Sequence, residues 1–257
     1  GDITVTDDDG NELPCQIILE RSTIPGFRTR VVFSGTVPPM GYAVYHFNQK
    51  GGDVRHSCDG DADVLDGGIL TVKTMNENGG VEIRDNRDGS VYAITPEVRA
   101  DDGDVWSFNT CGFGDALEPF TPISAARTES GDIKNVVRTR FGFRSSKMEQ
   151  RITVYPGRDY VDIAYRVDWD EPHTALKYRI TTPSAPDRIV AGVPGGLCER
   201  GFDGEEYPLS ETIELGDITV MADSIFAYNT DKDTETAALT LLRNPVCGDL
   251  RMDDPLR

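Results

Sequence analysis

The chain has 257 residues, of which 38% are hydrophobic and 27% are charged; this composition is ordinary for a soluble globular protein and excludes a disordered chain. Its 44 acidic and 26 basic residues give a net charge of -18, which repels phosphate backbones and anionic lipid, so we expect neither nucleic acid nor a membrane as a partner. No stretch approaches the roughly 18 consecutive apolar residues of a membrane span.

The first part of the chain alternates short β-prone runs with turns of Gly, Pro and Asp. The runs are ITV, CQIILE, TRVVFS and YAVYHF, and each has the length and the residue types of a strand. We therefore predict that residues 1–48 form strands of a small β-sandwich. Hydrophobicity then falls sharply over residues 48–68, which indicates a domain boundary and makes residues 49–257 the second domain.

Short strand candidates recur from residue 69 onward, first as ILTVKT, VEIR and VYAI. A Gly-, Pro- and Asp-rich stretch follows over residues 95–122 and contains Trp106, Phe108, Phe113 and Phe120. Loops of this length inside a compact domain usually have a function, so we do not expect it to be a mere connection.

Residues 147–180 carry the clearest pattern. Apolar side chains alternate with polar ones over residues 161–169, which predicts a strand whose buried face includes Trp169. Residues 148–154 alternate in the same way and are joined to that strand by a turn at Pro156 and Gly157, so the two form a β-hairpin. Residues 176–180 predict a third strand beside it. No segment has a convincing helical period, and we predict an all-β fold.

The five cysteines lie dozens of residues apart, include no CxxC pair and are odd in number. This pattern indicates neither a disulfide framework nor a zinc knuckle, and reduced thiols in a cytoplasm fit it best. Residues 1–10 are acidic and show no signal peptide, so we predict a cytoplasmic location. The only histidines are His46, His56 and His173, which are too few and too scattered to form a histidine-rich metal site.

An acidic run resembles the start of a calcium loop at Asp59, Asp61 and Asp63. The geometry of that loop requires Gly at its sixth position and Glu at its twelfth, where this chain has Val64 and Leu70. We therefore favour a solvated linker.

The turn after Trp169 holds further candidate groups. Glu171 and His173 could share a metal ion, but Pro172 between them argues for a turn. Asp168, Asp170 and Glu171 could supply the paired carboxylates of a glycosidase, which stand about 5 to 10 Å apart. Neighbours at a turn seldom meet that requirement, and no motif of a self-contained active site is present.

Several stretches, taken in chain order, resemble the C-terminal half of glycoside hydrolase family 38 α-mannosidases. The stretches are residues 5–16 (VTDDDGNELPCQ), 37–47 (VPPMGYAVYHF), 65–92, 101–108 (DDGDVWSF), 167–180 (VDWDEPHTALKYRI), 198–208 (CERGFDGEEYP) and 241–245 (LLRNP). The resemblance covers almost the whole chain, and its last three motifs are fairly specific.

This resemblance implies a supersandwich like that of galactose mutarotase, preceded by part of a smaller β-sandwich. It also implies a retaining α-mannosidase whose aspartate nucleophile and divalent metal, usually zinc, lie on an N-terminal barrel. No counterpart of that barrel is found in the sequence, so the chain would be a fragment without catalytic residues, metal ligands or cofactor of its own. Its expected partners are the barrel and the helical bundle of the same protein, and a mannose-containing carbohydrate.

Arg243 is the one residue of this chain that the resemblance places near the sugar. A planar guanidinium suits paired hydroxyls, or the carboxylate that orients them, whereas a surface ion pair with one of the many acidic residues is the plainer interpretation. An alternative function is an autonomous carbohydrate-binding module that uses Trp106 and the neighbouring aromatic residues as stacking platforms. Aromatic residues in one loop can equally pack a core.

Overall fold

The computed structural model describes residues 2–20, 28–51, 56–103, 112–231, 234 and 236–245. Every regular element in these ranges is a strand. These ranges contain no helix that is long and apolar enough to cross a membrane. The chain is all-β, as predicted.

The strands are numbered in chain order. The first group is β1 (Asp2–Asp7), β2 (Glu12–Leu13), β3 (Cys15–Ile18), β4 (Arg30–Phe33) and β5 (Tyr45–Lys50). The second is β6 (Val64–Asp66), β7 (Leu70–Met75), β8 (Gly80–Asp85), β9 (Val91–Ala100), β10 (Thr121–Glu129), β11 (Asn135–Phe143), β12 (Ser146–Val154) and β13 (Val161–Asp168). The third is β14 (Thr174–Thr181), β15 (Ile189–Val193), β16 (Gly196–Arg200), β17 (Glu206–Pro208), β18 (Thr212–Leu215), β19 (Ile218–Met221), β20 (Ala227–Asp231) and β21 (Thr236–Asn244).

An eight-stranded antiparallel sheet, in the order β17-β20-β21-β14-β9-β8-β7-β6, is the largest layer. Two four-stranded sheets, β10-β11-β12-β13 and β16-β15-β18-β19, cover one of its faces side by side. Leu176 and Tyr178 of β14 pack against Phe141 of the first small sheet, and Ile180 packs against Ile189 of the second. These layers form the predicted supersandwich, and the sheets β2-β1-β5 and β3-β4 precede it as the smaller β part.

The predicted hairpin is confirmed, since β12 pairs with β13 from Lys147 opposite Asp168 to Val154 opposite Val161. The predicted third strand is present as β14, but its predicted position beside β13 is wrong. β14 crosses to the eight-stranded sheet and pairs with β9 and β21. It therefore belongs to the second layer that covers the hairpin, because its apolar side chains face those of β11 and β12 across the core.

The loop predicted over residues 95–122 is too long at both ends. β9 continues to Ala100, and β10 begins at Thr121. Phe120 is buried at 2% exposure, so it packs in the core and is not a stacking platform. Trp106 and Phe108 lie outside the described residues. β5 runs to Lys50 and β6 begins at Val64, and the domain boundary after residue 48 stays a prediction.

Candidate functional site

The second face of the eight-stranded sheet is polar and is not covered by either four-stranded sheet. Cross-strand partners share a face, and Lys177 stands opposite both Glu97 and Thr240. Arg243 stands opposite Ala175, which is two residues before Lys177 and so lies on the same face. We call this surface, defined by Glu97, Lys177, Arg179, Thr240 and Arg243, the polar face.

Arg243, near the end of β21, makes a two-pronged ion pair with Asp101. Its Nε donates to Oδ2 at 2.8 Å and its Nη2 donates to Oδ1 at 2.9 Å. The Asp101 side chain is 1% exposed and that of Arg243 is 22% exposed. The pair is therefore largely withdrawn from solvent, unlike the exposed surface ion pair weighed from the sequence, and its parallel geometry fixes the plane of the guanidinium.

Backbone hydrogen bonds at the strand ends hold this pair in place. The N–H of Asp101 donates to the carbonyl of His173 at 2.8 Å, and the N–H of His173 donates to the carbonyl of Asn244 at 2.7 Å. His173 has φ of 58°, in the left-handed region that a tight turn uses. The turn before β14 thus lies between the ends of β9 and β21.

Glu171 is the structural anchor of the same turn. Its side chain is buried, and its Oε1 accepts hydrogen bonds from the N–H groups of Ser145 and Ser146 at 2.9 and 3.1 Å and from the Ser146 hydroxyl at 3.0 Å. These three hydrogen bonds to one oxygen join the β11–β12 turn to the β13–β14 connection. This engagement leaves Glu171 unsuited to a metal shared with His173 or to glycosidic acid-base chemistry.

A second ion pair lies on the polar face between Lys177 and Glu206. The Lys177 ammonium is 1% exposed and lies 2.6 Å from Oε2 of Glu206, while the Thr240 hydroxyl donates to Oε1. Burial lowers the pKa of Lys177 to about 8, and the attraction of Glu206 opposes that shift.

Phe113 joins the two ion pairs. The Lys177 nitrogen lies 4.8 Å from the centre of the Phe113 ring, and the Arg243 guanidinium carbon lies 5.3 Å from it. Both distances are within the range of a cation–π contact. Phe113 belongs to the segment between β9 and β10, and its ring covers Lys177. Lys177 is therefore buried although neither four-stranded sheet covers its face of the eight-stranded sheet.

Sequence reasoning named Arg243 but missed Asp101, Lys177 and Glu206 as its neighbours in the site. All three lie in stretches that carry the family resemblance, and Asp101 is 142 residues from Arg243 in the chain. Their position in those stretches was the signal that could have identified them. Which of these residues pair with one another depends on the strand order, and no local sequence pattern predicts that order.

The described residues do not fit a metal ion. Among them there is no group of three or more His, Cys, Asp or Glu side chains that could hold one. Near the candidate calcium loop, the Asp61 carboxylate accepts the N–H of Asp63, and the Asp63 carboxylate accepts from Asn76. One oxygen of each of these carboxylates is thus engaged by the protein itself.

The fold is an all-β supersandwich domain. Its ion pairs lie on the face of the eight-stranded sheet that the two four-stranded sheets do not cover. The chain belongs to the family of glycosyl hydrolases family 38 C-terminal domains, whose model matches residues 65–251. No curated protein sequence matches it.

Two solved structures from Enterococcus faecalis share the fold. One is described as an alpha-mannosidase and superposes with a TM-score of 0.68 at 14% identity, over 95% of this chain and 34% of that one. The other is described as a protein in the glycosyl hydrolase family 38 and gives a TM-score of 0.69 at 14% identity, over 95% and 35%. This chain thus spans about a third of the length of either structure.

Proposed function

We propose that this chain is the non-catalytic C-terminal β region of an α-mannosidase, an enzyme that hydrolyses α-mannosidic bonds. In the proposal it supports the catalytic barrel and the helical bundle of the same protein and lends polar groups to a mannose-containing carbohydrate. The nucleophile and a divalent metal, usually zinc, belong to the barrel. The observation that carries the proposal is the meeting of four family motifs on the polar face, through Asp101 with Arg243 and Lys177 with Glu206.

The geometry of Arg243 supports a role in sugar binding. Asp101 holds the Nε and Nη2 side of its guanidinium. A guanidinium with a fixed plane loses little further entropy when it binds hydroxyl groups or a carboxylate that orients them.

Exposed apolar side chains near the start of the chain support the docking of other domains. Met40 and Tyr42 are 110% and 84% exposed, and Val37 and Phe47 are more than half exposed. All four fall within residues 37–47, and exposed apolar groups mark an interaction surface where they form one patch. The barrel and the bundle of the same protein are the proposed occupants, since the similar structures are about three times as long as this chain.

A hydrolysis assay on the 257-residue chain tests its non-catalytic role. We expect no turnover of an aryl α-mannoside above a buffer blank, with or without added zinc. The proposal is wrong if turnover co-purifies with the chain and survives a second purification.

Kinetics in a longer protein that includes the barrel test Arg243. The Arg243→Ala change should lower kcat/KM about tenfold or more, because a charge-assisted hydrogen bond contributes about 1.5 to 3 kcal/mol. Arg140→Ala is the matched control, since Arg140 is 52% exposed and pairs with Glu149 on another sheet. Unchanged kinetics together with unchanged thermal stability would assign Arg243 to the solvated surface.

An autonomous carbohydrate-binding module is the second candidate, and the half-buried ring of Phe113 beside polar side chains favours it. The gene sequence upstream of residue 1 separates the two. A barrel with Asp and His metal ligands supports the mannosidase, and an unrelated domain or a stop codon supports the module.

We also propose a cytoplasmic location. The free thiols of Cys15, Cys58 and Cys198 support a reducing compartment. Fractionation of source cells tests it, and recovery of the protein outside the cytoplasm would contradict it.

A further inference from the structure

The polar face continues past Phe113 into a depression of about 230 Å³. We call it the basin and define it by Arg99, Phe113, Arg179, Asn229 and Asp231, which line it. Pockets for drug-sized ligands measure roughly 300 to 1,000 Å³, so the basin suits a smaller ligand, of the size of one sugar ring.

Two arginines stand in the basin with their planes already fixed. Glu97 accepts from both, at 2.6 Å from Nη1 of Arg99 and at 2.9 Å from Nε of Arg179. Arg99 Nε also donates to the carbonyl of Gly114 at 2.8 Å, and Arg179 Nη1 donates to the Thr236 hydroxyl at 2.9 Å. Within the described ranges, the Nη2 group of neither arginine has a hydrogen-bond partner. Each therefore presents pre-oriented donors to a ligand at little entropic cost.

Acceptors and an apolar surface complete the lining. Asp231 lies on the wall with its Oδ2 3.6 Å from Nη1 of Arg179. In the part of the chain that the structure describes, the Asn229 side-chain amide makes one long contact, at 3.4 Å to the carbonyl of Thr230, so it can pair with a ligand instead. The Phe113 ring supplies a carbon surface of the kind that packs against the C–H groups of a sugar.

Among the described residues, the charged side chains that line the basin and the ion-paired groups beside it balance. The cations are Arg99, Lys177 and Arg179, and the carboxylates are Glu97, Glu206 and Asp231. This described set is neutral within a protein of net charge -18. An anion would meet no excess of positive charge there, and a cation would meet fixed guanidinium groups. A neutral polyhydroxy ligand can use the donors and the acceptors together.

We propose that the basin binds one neutral pyranose unit of a carbohydrate, with Arg99 and Arg179 donating to its hydroxyl groups and Asn229 and Asp231 accepting from them. The choice of a sugar rests on the proposed function. The location rests on the geometry of the basin alone.

The test titrates the 257-residue chain with methyl α-mannopyranoside while backbone amide shifts are recorded by NMR. We expect saturable shifts at residues around the basin, with a dissociation constant of about 1 mM. Asn229→Ala and Arg179→Lys should each raise that constant about fivefold, because each weakens one or two hydrogen bonds. Arg140→Lys is the matched control and should leave it unchanged. Among the described contacts, Asn229→Ala removes one long hydrogen bond to Thr230, so it tests the site even if Arg179→Lys unfolds the chain.

Three outcomes would overturn the inference. They are the absence of saturable shifts up to about 10 mM sugar, saturable shifts that neither variant alters, and competition by sodium sulfate that shows an anion site. The proposed function is judged separately, by mannosidase activity of the longer protein and its response to Arg243→Ala. A basin that fails to bind sugar therefore leaves that result standing, and an inactive longer protein leaves the titration interpretable.

Discussion

The ion pair between Arg243 and Asp101 should contribute measurably to stability, which a solvated pair would not. Removing Arg243 leaves a carboxylate that is 1% exposed without its charged partner, and stranding a buried charge costs about 3 to 5 kcal/mol. Removing Asp101 leaves a guanidinium that is 22% exposed and can rehydrate in part, so we expect about 2 kcal/mol for that change.

A double-mutant cycle isolates the pair. Four proteins are unfolded in urea, and their unfolding is followed by near-UV circular dichroism and Trp fluorescence. They are the unsubstituted chain, Arg243→Ala, Asp101→Ala and the double variant. The coupling energy should be about 2 kcal/mol or more, because the pair has two charge-assisted hydrogen bonds of parallel geometry. Asp101 also accepts the N–H of Gly103 at 3.2 Å, but that contribution cancels in the cycle.

The same cycle on Arg140 and Glu149 is the control, because their side chains are 52% and 32% exposed. It should give less than about 1 kcal/mol. A coupling below about 0.5 kcal/mol between Arg243 and Asp101 would refute the reasoning, since it would mean that the pair is hydrated as fully as the control.

Two further predictions concern side chains next to the polar face. Trp169→Ala should cost about 3 to 5 kcal/mol in urea unfolding, because its ring stacks on Phe143 at 5.6 Å and its Nε1 donates to Thr174; a loss below about 1 kcal/mol would contradict this packing. The pKa of Lys177 falls from 10.5 to about 8 on folding, so between those values the unfolded chain binds more protons and stability rises with pH. From about pH 7 to pH 10 the unfolding free energy should rise by about 2 kcal/mol more in the unsubstituted chain than in Lys177→Met. Lys73→Met, at an exposed lysine, is the control. Equal pH dependence of the unfolding free energy in the unsubstituted chain and in Lys177→Met would contradict the pKa shift.

The local patterns of the sequence predict the strands best where burial alternates strictly. Residues 161–167 are half-buried at every second position, and Trp169 continues the series, so the period identified both the strand and its inner face. The hairpin followed because a Pro-Gly turn joins two such runs. β10 was missed because it is an edge strand whose first six residues are exposed, so they leave no alternation to detect.

The candidate site was harder to predict because its partners are distant in sequence. Lys177 alternates with the apolar residues Leu176 and Tyr178, and it lies on the opposite face of the strand from them, across from Glu97. Its burial depends on Phe113, which lies 64 positions earlier and reaches over the sheet from a connecting segment. Likewise, Arg243 meets Asp101 only because β9, β14 and β21 are neighbours, and the placement of β14 is where the sequence prediction was wrong.

The difference between the two faces of the eight-stranded sheet favours the proposed binding role of the polar face. Its packed face is held by apolar contacts such as Leu176 and Ile180, and residues of that kind would stabilise the other face at least as well as buried ion pairs do. Fixed ion pairs provide something that apolar packing does not, namely charged groups with a defined orientation. Arg243 contacts Phe113, which also lines the basin, so under the proposed function Arg243 and the basin would contact successive parts of one extended ligand; the Arg243→Ala kinetics and the titration test these two contacts separately.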